Sequence, residues 1–218
     1  MSEAVDPAFT ALLPLGLLPV LGILDAKQVA HSVGNELILL LMGGFMLSRA
    51  LERSGAHRRL AFAMVRTVGG KSGQSLILGF VLATGLISMW ISNTATTLIM
   101  LPVAYAVIEH YKDPRLATPL VLAIAYAASI GGLGTPIGSP PNLVFMQQYL
   151  QATGTAYSFS DWMQVGVPVL LIMLPILVFG LSRNLKHSPA AILPEMGAWS
   201  TAEKRVLCVF GLTALAWM

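Results

Sequence analysis

Charge is scarce in this chain: Lys, Arg, Asp and Glu make up 11% of its 218 residues, while 56% are hydrophobic. Soluble domains carry about 25% charged residues, so a water-exposed fold could not conceal this much apolar surface. Cysteine is nearly absent, and the single Cys208, set in an apolar run, excludes both a disulfide framework and a thiolate metal cluster. Four histidines (His31, His57, His110 and His187) fall near the ends of apolar segments and show no metal-ligand spacing. No Gly-x-Ser-x-Gly elbow occurs, and neither Ser92 nor Ser139 has a His or Lys nearby, which removes the basis for an intramembrane serine hydrolase. The first seven residues lack a basic n-region and a small-residue cleavage site, so no secretory signal is read there. The net charge of +3 does not imply nucleic acid, because the basic residues gather at the ends of apolar runs.

What is present is apolar length. Segments 8–24, 36–52 and 163–182 approach the roughly 20 residues that cross a bilayer, and a run from 206 is still apolar at Met218. The densest basic stretch is Arg49, Arg53, Arg58, Arg59, Arg66 and Lys71, opposed by Glu52 alone. By the positive-inside rule it faces the cytoplasm. Threading from there, 74–110 enters and returns to Lys112 and Arg115, 117–151 crosses outward to a stretch without Lys or Arg, and 163–182 comes back to Arg183 and Lys186. The N-terminus and residues 53–73 are then cytoplasmic in a multi-pass cell-membrane protein. Residues 56–68 read as an interfacial amphipathic helix, with Leu60, Ala61, Met64 and Val65 opposite His57, Arg58, Arg59 and Arg66.

Two segments are interrupted. Helical arms 74–91 and 95–110 meet at Ser92-Asn93-Thr94, followed by Thr96 and Thr97, and these residue types favour a helix end and a fresh N-cap. An amide in the middle of an apolar stretch has no packing reason to be there. After residues 117–130 the sequence runs Gly131-Gly132-Leu133-Gly134-Thr135-Pro136-Ile137-Gly138-Ser139-Pro140-Pro141-Asn142, which cannot form a regular helix. Backbone groups released at membrane depth find partners only in protein or at a wet cavity. A hairpin tip and an unwound helix are the devices from which secondary carriers build a midplane site. Carbonyl, Asn and Ser oxygens there replace water around a small cation, and free helix N-termini near Thr94 and Asn142 face an anion. Ser88, one turn before Ser92, is expected on the same face.

The run Ser88-Met89-Trp90-Ile91-Ser92-Asn93-Thr94-Ala95-Thr96-Thr97, followed by Gly132 to Asn142, resembles the divalent anion/sodium symporter family, and the likeness extends to Gly43-Gly44-Phe45 and the basic helix after it. The resemblance implies an all-α integral membrane fold, one half of an inverted-repeat elevator-type transporter with a re-entrant helical hairpin and a broken helix. It implies sodium-coupled uptake of dicarboxylate, tricarboxylate or sulfate anions, with no cofactor beyond Na⁺ as coupling ion and a homodimer when complete. Carried onto this chain, it makes Ser88, Ser92, Asn93, Gly134 and Gly138 the sodium ligands. Substrate contact falls to Asn93, Thr94, Thr135, Ser139, Pro140 and Asn142. Residues 1–73 become scaffold helices plus the interfacial helix, 74–151 the transport-domain hairpin and broken helix, 152–202 a spanning helix and cytoplasmic linker, and 203–218 the opening of a second repeat. The family has two tips and two broken helices where this sequence has one of each, so the chain reads as a partial transporter.

Simpler readings stand beside these. Ser75, Thr84 and Thr118 are expected to bond backbone carbonyls or neighbouring helices. Gly134 and Gly138 either permit tight turns or offer carbonyls to an ion. Met42, Met46, Met89 and Met100 fill gaps, and Tyr157, Trp162 and Trp199 suit an interfacial belt. An ion channel or a non-transporting scaffold subunit is the alternative function.

Overall fold

The computed structural model describes residues 5–69, 72–111, 114–183, 185 and 198–217. Ten helices are found among them and no strand: α1 (Pro7–Val20), α2 (Ala26–Val33), α3 (Glu36–Ser54), α4 (Ala56–Val68), α5 (Gly73–Ser88), α6 (Asn93–Tyr111), α7 (Pro114–Gly131), α8 (Pro140–Thr153), α9 (Phe159–Ser182) and α10 (Thr201–Trp217). Lys71, Lys112, Lys186, His187 and most of the linker before 198 lie outside the described residues.

Local chemistry sets the helix ends. Asp6 Oδ1 accepts from Ala8 N–H at 2.8 Å and Pro7 opens α1, where its missing N–H is no loss. Ser72 and Ser75 form a reciprocal cap at the start of α5, and Ser158 and Asp161 do the same for α9. Pro140 and Pro141 start α8, and Gly154, at φ +70°, ends it.

Contacts divide the chain into two compact units, 1–42 and 43–218, with the boundary inside α3. In the first, α1 stops at Val20, just before Gly22 turns the chain at φ +67°, so the expected span 8–24 is a 14-residue helix. At 1.5 Å per residue that reaches about 21 Å, short of the roughly 30 Å hydrocarbon core. Of the described helices, α9 is long and apolar enough to cross by itself, and α2 with α3 reaches that standard as a bent pair.

The second unit is built around α5. Eleven of its 16 residues are buried, so it is enclosed, and α4, α7 and α9 are its main neighbours. Leu76, Ile77, Phe80 and Val81 of α5 pack into one core with Val65, Met100, Leu120, Ile124, Leu170 and Leu174. The α5–α7 crossing is tight: a Cβ on Gly131 would lie 2.7 Å from Gly85 Cα. Large apolar side chains point outward instead, among them Leu98, Tyr126, Ile172, Ile176, Phe179 and Leu212. Apolar surface on the outside of a packed helical body is what a bilayer requires. The first arm of the interrupted pair ends at Ser88 rather than 91, and α6 begins at Asn93 rather than 95.

Two expectations for α4 and α5 are corrected. His57 is 4% exposed, not on the polar face of α4, and its Nδ1–H donates to the Leu51 carbonyl at 2.8 Å, closing the end of α3. Burial holds its pKa below the ordinary 6.5, against the opposing pull of that carbonyl and of Glu52. Thr84, expected to bond a backbone carbonyl or a neighbouring helix, is fully buried and its hydroxyl has no partner among the described residues. Beside His57, Arg59 reaches α10: its Nε donates to Glu203 at 3.0 Å and its guanidinium lies 5.0 Å from the Trp199 ring centre. The Ser200 N–H and the Arg59 guanidinium keep the Glu203 carboxyl below its usual range.

Candidate functional site

The close approach of α5 and α7 brings the end of one arm against the start of the unwound loop. Ser88, fully buried, ends α5; its hydroxyl oxygen lies 2.8 Å from Asn93 Oδ1 and 2.7 Å from the Ala128 carbonyl of α7. The hydroxyl has one proton to give the Ala128 carbonyl, and turning the Asn93 amide over brings its N–H₂ against Ser88 in place of Oδ1. Asn93 Nδ2 donates to Ser139 Oγ at 3.1 Å, which joins the tip to the far end of the loop. Gly132 lies directly beneath: a Cβ there would collide with Asn93 Oδ1 and come within 3.1 Å of its Cγ.

The loop is held from inside. Asn142 is 3% exposed, and its Nδ2 donates to the carbonyls of Gly132 (2.7 Å) and Thr135 (2.9 Å), closing a turn that helix geometry cannot close. Thr135, fully buried, gives its hydroxyl proton to the Met89 carbonyl and accepts from Gly138 N–H at 3.1 Å. Gly138 stands against this group, its Cβ position 2.9 Å from the Met89 carbonyl oxygen. From α9, Trp162 Nε1–H donates to the Leu133 carbonyl at 2.8 Å, and Gly166 leaves the space that this carbonyl fills.

The expected residues therefore divide into three groups. Ser88, Asn93, Gly138, Thr135, Ser139 and Asn142 come together in one neutral, oxygen-rich cluster. Thr94 and Pro140 are exposed beside the half-buried Asn93 and Ser139, and these four form its open face. Ser92 and Gly134 point elsewhere. The Ser92 hydroxyl turns to Ala95 N–H at 3.3 Å and caps α6, since α5 ends at Ser88 and the one-turn relation expected between the two serines is broken. The Cβ position of Gly134 faces the Met89 side chain and Leu170, and its carbonyl oxygen lies 3.4 Å from the Cβ position of Gly166 on α9. Gly132 and the carbonyls of Met89 and Ala128 were not singled out from the sequence. Main-chain oxygens carry no signal there, although the doubled Gly131-Gly132 marks a place where backbone comes close.

A family model described as citrate transporter matches residues 1–218. The sodium-dependent dicarboxylate transporter SdcS of Staphylococcus saprophyticus is 38% identical over 240 aligned positions, covering 100% of this chain and 46% of that protein. SdcS of Staphylococcus aureus matches at the same identity and coverage. The chain thus spans about half the length of these relatives.

Proposed function

Because the chain belongs to the citrate transporter family, a family of multi-pass membrane transporters rather than enzymes, we propose that it carries one half of a secondary active transport site coupling Na⁺ to the uptake of di- or tricarboxylate anions. The observation that supports this most is the crowding of oxygens at Ser88. The Ser88 hydroxyl oxygen lies 2.8 Å from Asn93 Oδ1 and 2.7 Å from the Ala128 carbonyl oxygen, so three neutral oxygens meet at a buried, uncharged place. Neutral oxygens of this kind are what a small hard cation takes in place of water. The neighbouring Met89, Gly132 and Thr135 carbonyls supply further oxygens once their present donors turn aside.

The anion is assigned to the open face, Asn93, Thr94, Ser139 and Pro140, where the start of α6 turns its Asn93 and Thr94 N–H groups outward. Helix α8 adds no N–H, because Pro140 and Pro141 have none and Asn142 N–H is bonded to the Ser139 carbonyl. Thr135 and Asn142 act from beneath, holding the loop in the shape that offers its carbonyls. Ser92 serves by starting α6. With no charged side chain among these residues, binding of Na⁺ raises the affinity for the anion through charge neutralisation, which is how the two fluxes are coupled. In this reading α5 and α6 form a re-entrant hairpin, the tip and loop move as one body, and the charge pattern puts the start of α5 and the end of α6 on the cytoplasmic side. Counterflow of labelled succinate or citrate into proteoliposomes of the intact protein tests it. Uptake that needs external Na⁺ and is lost in Asn93→Ala is expected; equal uptake in K⁺ alone removes the coupling ion from the account.

A further inference from the structure

At the other end of α7, about 24 Å along its axis from the loop, a cavity of about 350 Å³ opens between the first turns of α7 and the last turn of α9. It is lined by Arg115 and Pro119 of α7 and by Gly180, Leu181, Arg183 and Leu185 at the end of α9. Both arginines are exposed, and Gly180 leaves open space where a side chain would stand.

We propose that this cavity binds the phosphodiester headgroup of an anionic phospholipid, with one acyl chain lying along α9. Three observations carry the assignment. The first is the pair of guanidiniums on one cavity: Arg carries planar N–H pairs that match two phosphate oxygens, which Lys cannot do. The second is how Arg183 is held. Its guanidinium, though exposed, lies over the Phe179 ring at 5.6 Å, which holds it beside the apolar face of α9. The third is what continues from Phe179. Ile172, Ile176 and Phe179 recur on one face of α9 at helical spacing and are 63%, 62% and 70% exposed, an apolar track ending at the arginine.

At the end of α9 the Ser182 carbonyl is turned to Gln74 Nε2 (3.2 Å) and Leu185 N–H (3.1 Å), and the two guanidiniums oppose the remaining negative end of the helix. Basic cavities between membrane helices on the side of the anionic leaflet suit lipid headgroups, and the charge pattern puts this end on that side. A free phosphate or a carboxylate substrate would use the arginines but gain nothing from the track.

The test is thermal unfolding of the delipidated protein in neutral detergent, with phosphatidylglycerol, phosphatidylcholine, inorganic phosphate or citrate added. Phosphatidylglycerol is expected to raise the midpoint by about 5 °C over phosphatidylcholine, as a ligand well above its Kd does. Arg115→Gln with Arg183→Gln is expected to lose that rise. So is Gly180→Leu, which fills the cavity and leaves the charge unchanged. Arg49→Gln, an exposed cation paired with Glu52 elsewhere in the chain, keeps it. An unchanged rise in both cavity variants overturns the site. An equal rise with phosphate or citrate that disappears in the same variants overturns the lipid assignment.

Discussion

Gly132 has no side chain where Asn93 needs room, and that single absence lets the tip touch the loop. Gly132→Ala forces the two apart, so a loss of stability of about 1–3 kcal/mol is expected. A larger effect is expected on ion response: the rise in melting temperature that the proposed Na⁺ site gives should be absent from this variant when Na⁺ and choline are compared by differential scanning fluorimetry. Asn142→Ala acts differently. It leaves the Gly132 and Thr135 carbonyls without their shared donor at about 1–3 kcal/mol each, and it is expected to lower stability in Na⁺ and choline alike while weakening Na⁺ affinity. At His57 the prediction concerns pH. The folded pKa lies below the ordinary 6.5, so the unfolded chain takes up the proton first. The His57 contribution is complete above about pH 6.5 and is lost as pH falls towards the folded value, with a slope of at most about 1.4 kcal/mol per pH unit. His57→Gln should flatten melting temperature against pH just below 6.5, whereas the Glu203 contribution, from a lowered carboxyl pKa, fades in a more acid range.

At the scale of elements, the two interruptions were legible because Asn in an apolar run and three prolines among four glycines leave few other readings. Their bounds were less so. The end of α5 at Ser88 is decided by Ser88 meeting Asn93 and Ala128, contacts that no spacing rule reports. The face of α4 could have been read better: His57, Ala61 and Val65 recur every four residues and are all buried, so periodicity places the histidine inward where chemical type suggested outward. What stayed hidden was main-chain chemistry and the role of α9, which looked like a plain span. Trp162 and Gly166 make it the wall that the loop leans on. Trp162→Phe keeps an aromatic side chain but removes the N–H and part of the indole, so a loss of about 1–3 kcal/mol is expected. Faster hydrogen exchange confined to residues 131–138 would mark the loop as the part released.

For the whole molecule, large apolar side chains face outward while the contact between tip and loop is polar and uncharged. The exterior follows from composition and needed no structure to see. The interior contact depends on tip and loop, some 40 residues apart in sequence, being brought together by the crossing of α5 on α7. The most direct measurement is the melting temperature of the intact protein titrated with NaCl at constant ionic strength, compared among wild type, Ser88→Ala and Asn93→Ala. The account predicts a rise of several degrees that saturates with Na⁺ in wild type and is absent in both variants. A rise of the same size and midpoint in folded Ser88→Ala and Asn93→Ala would contradict it.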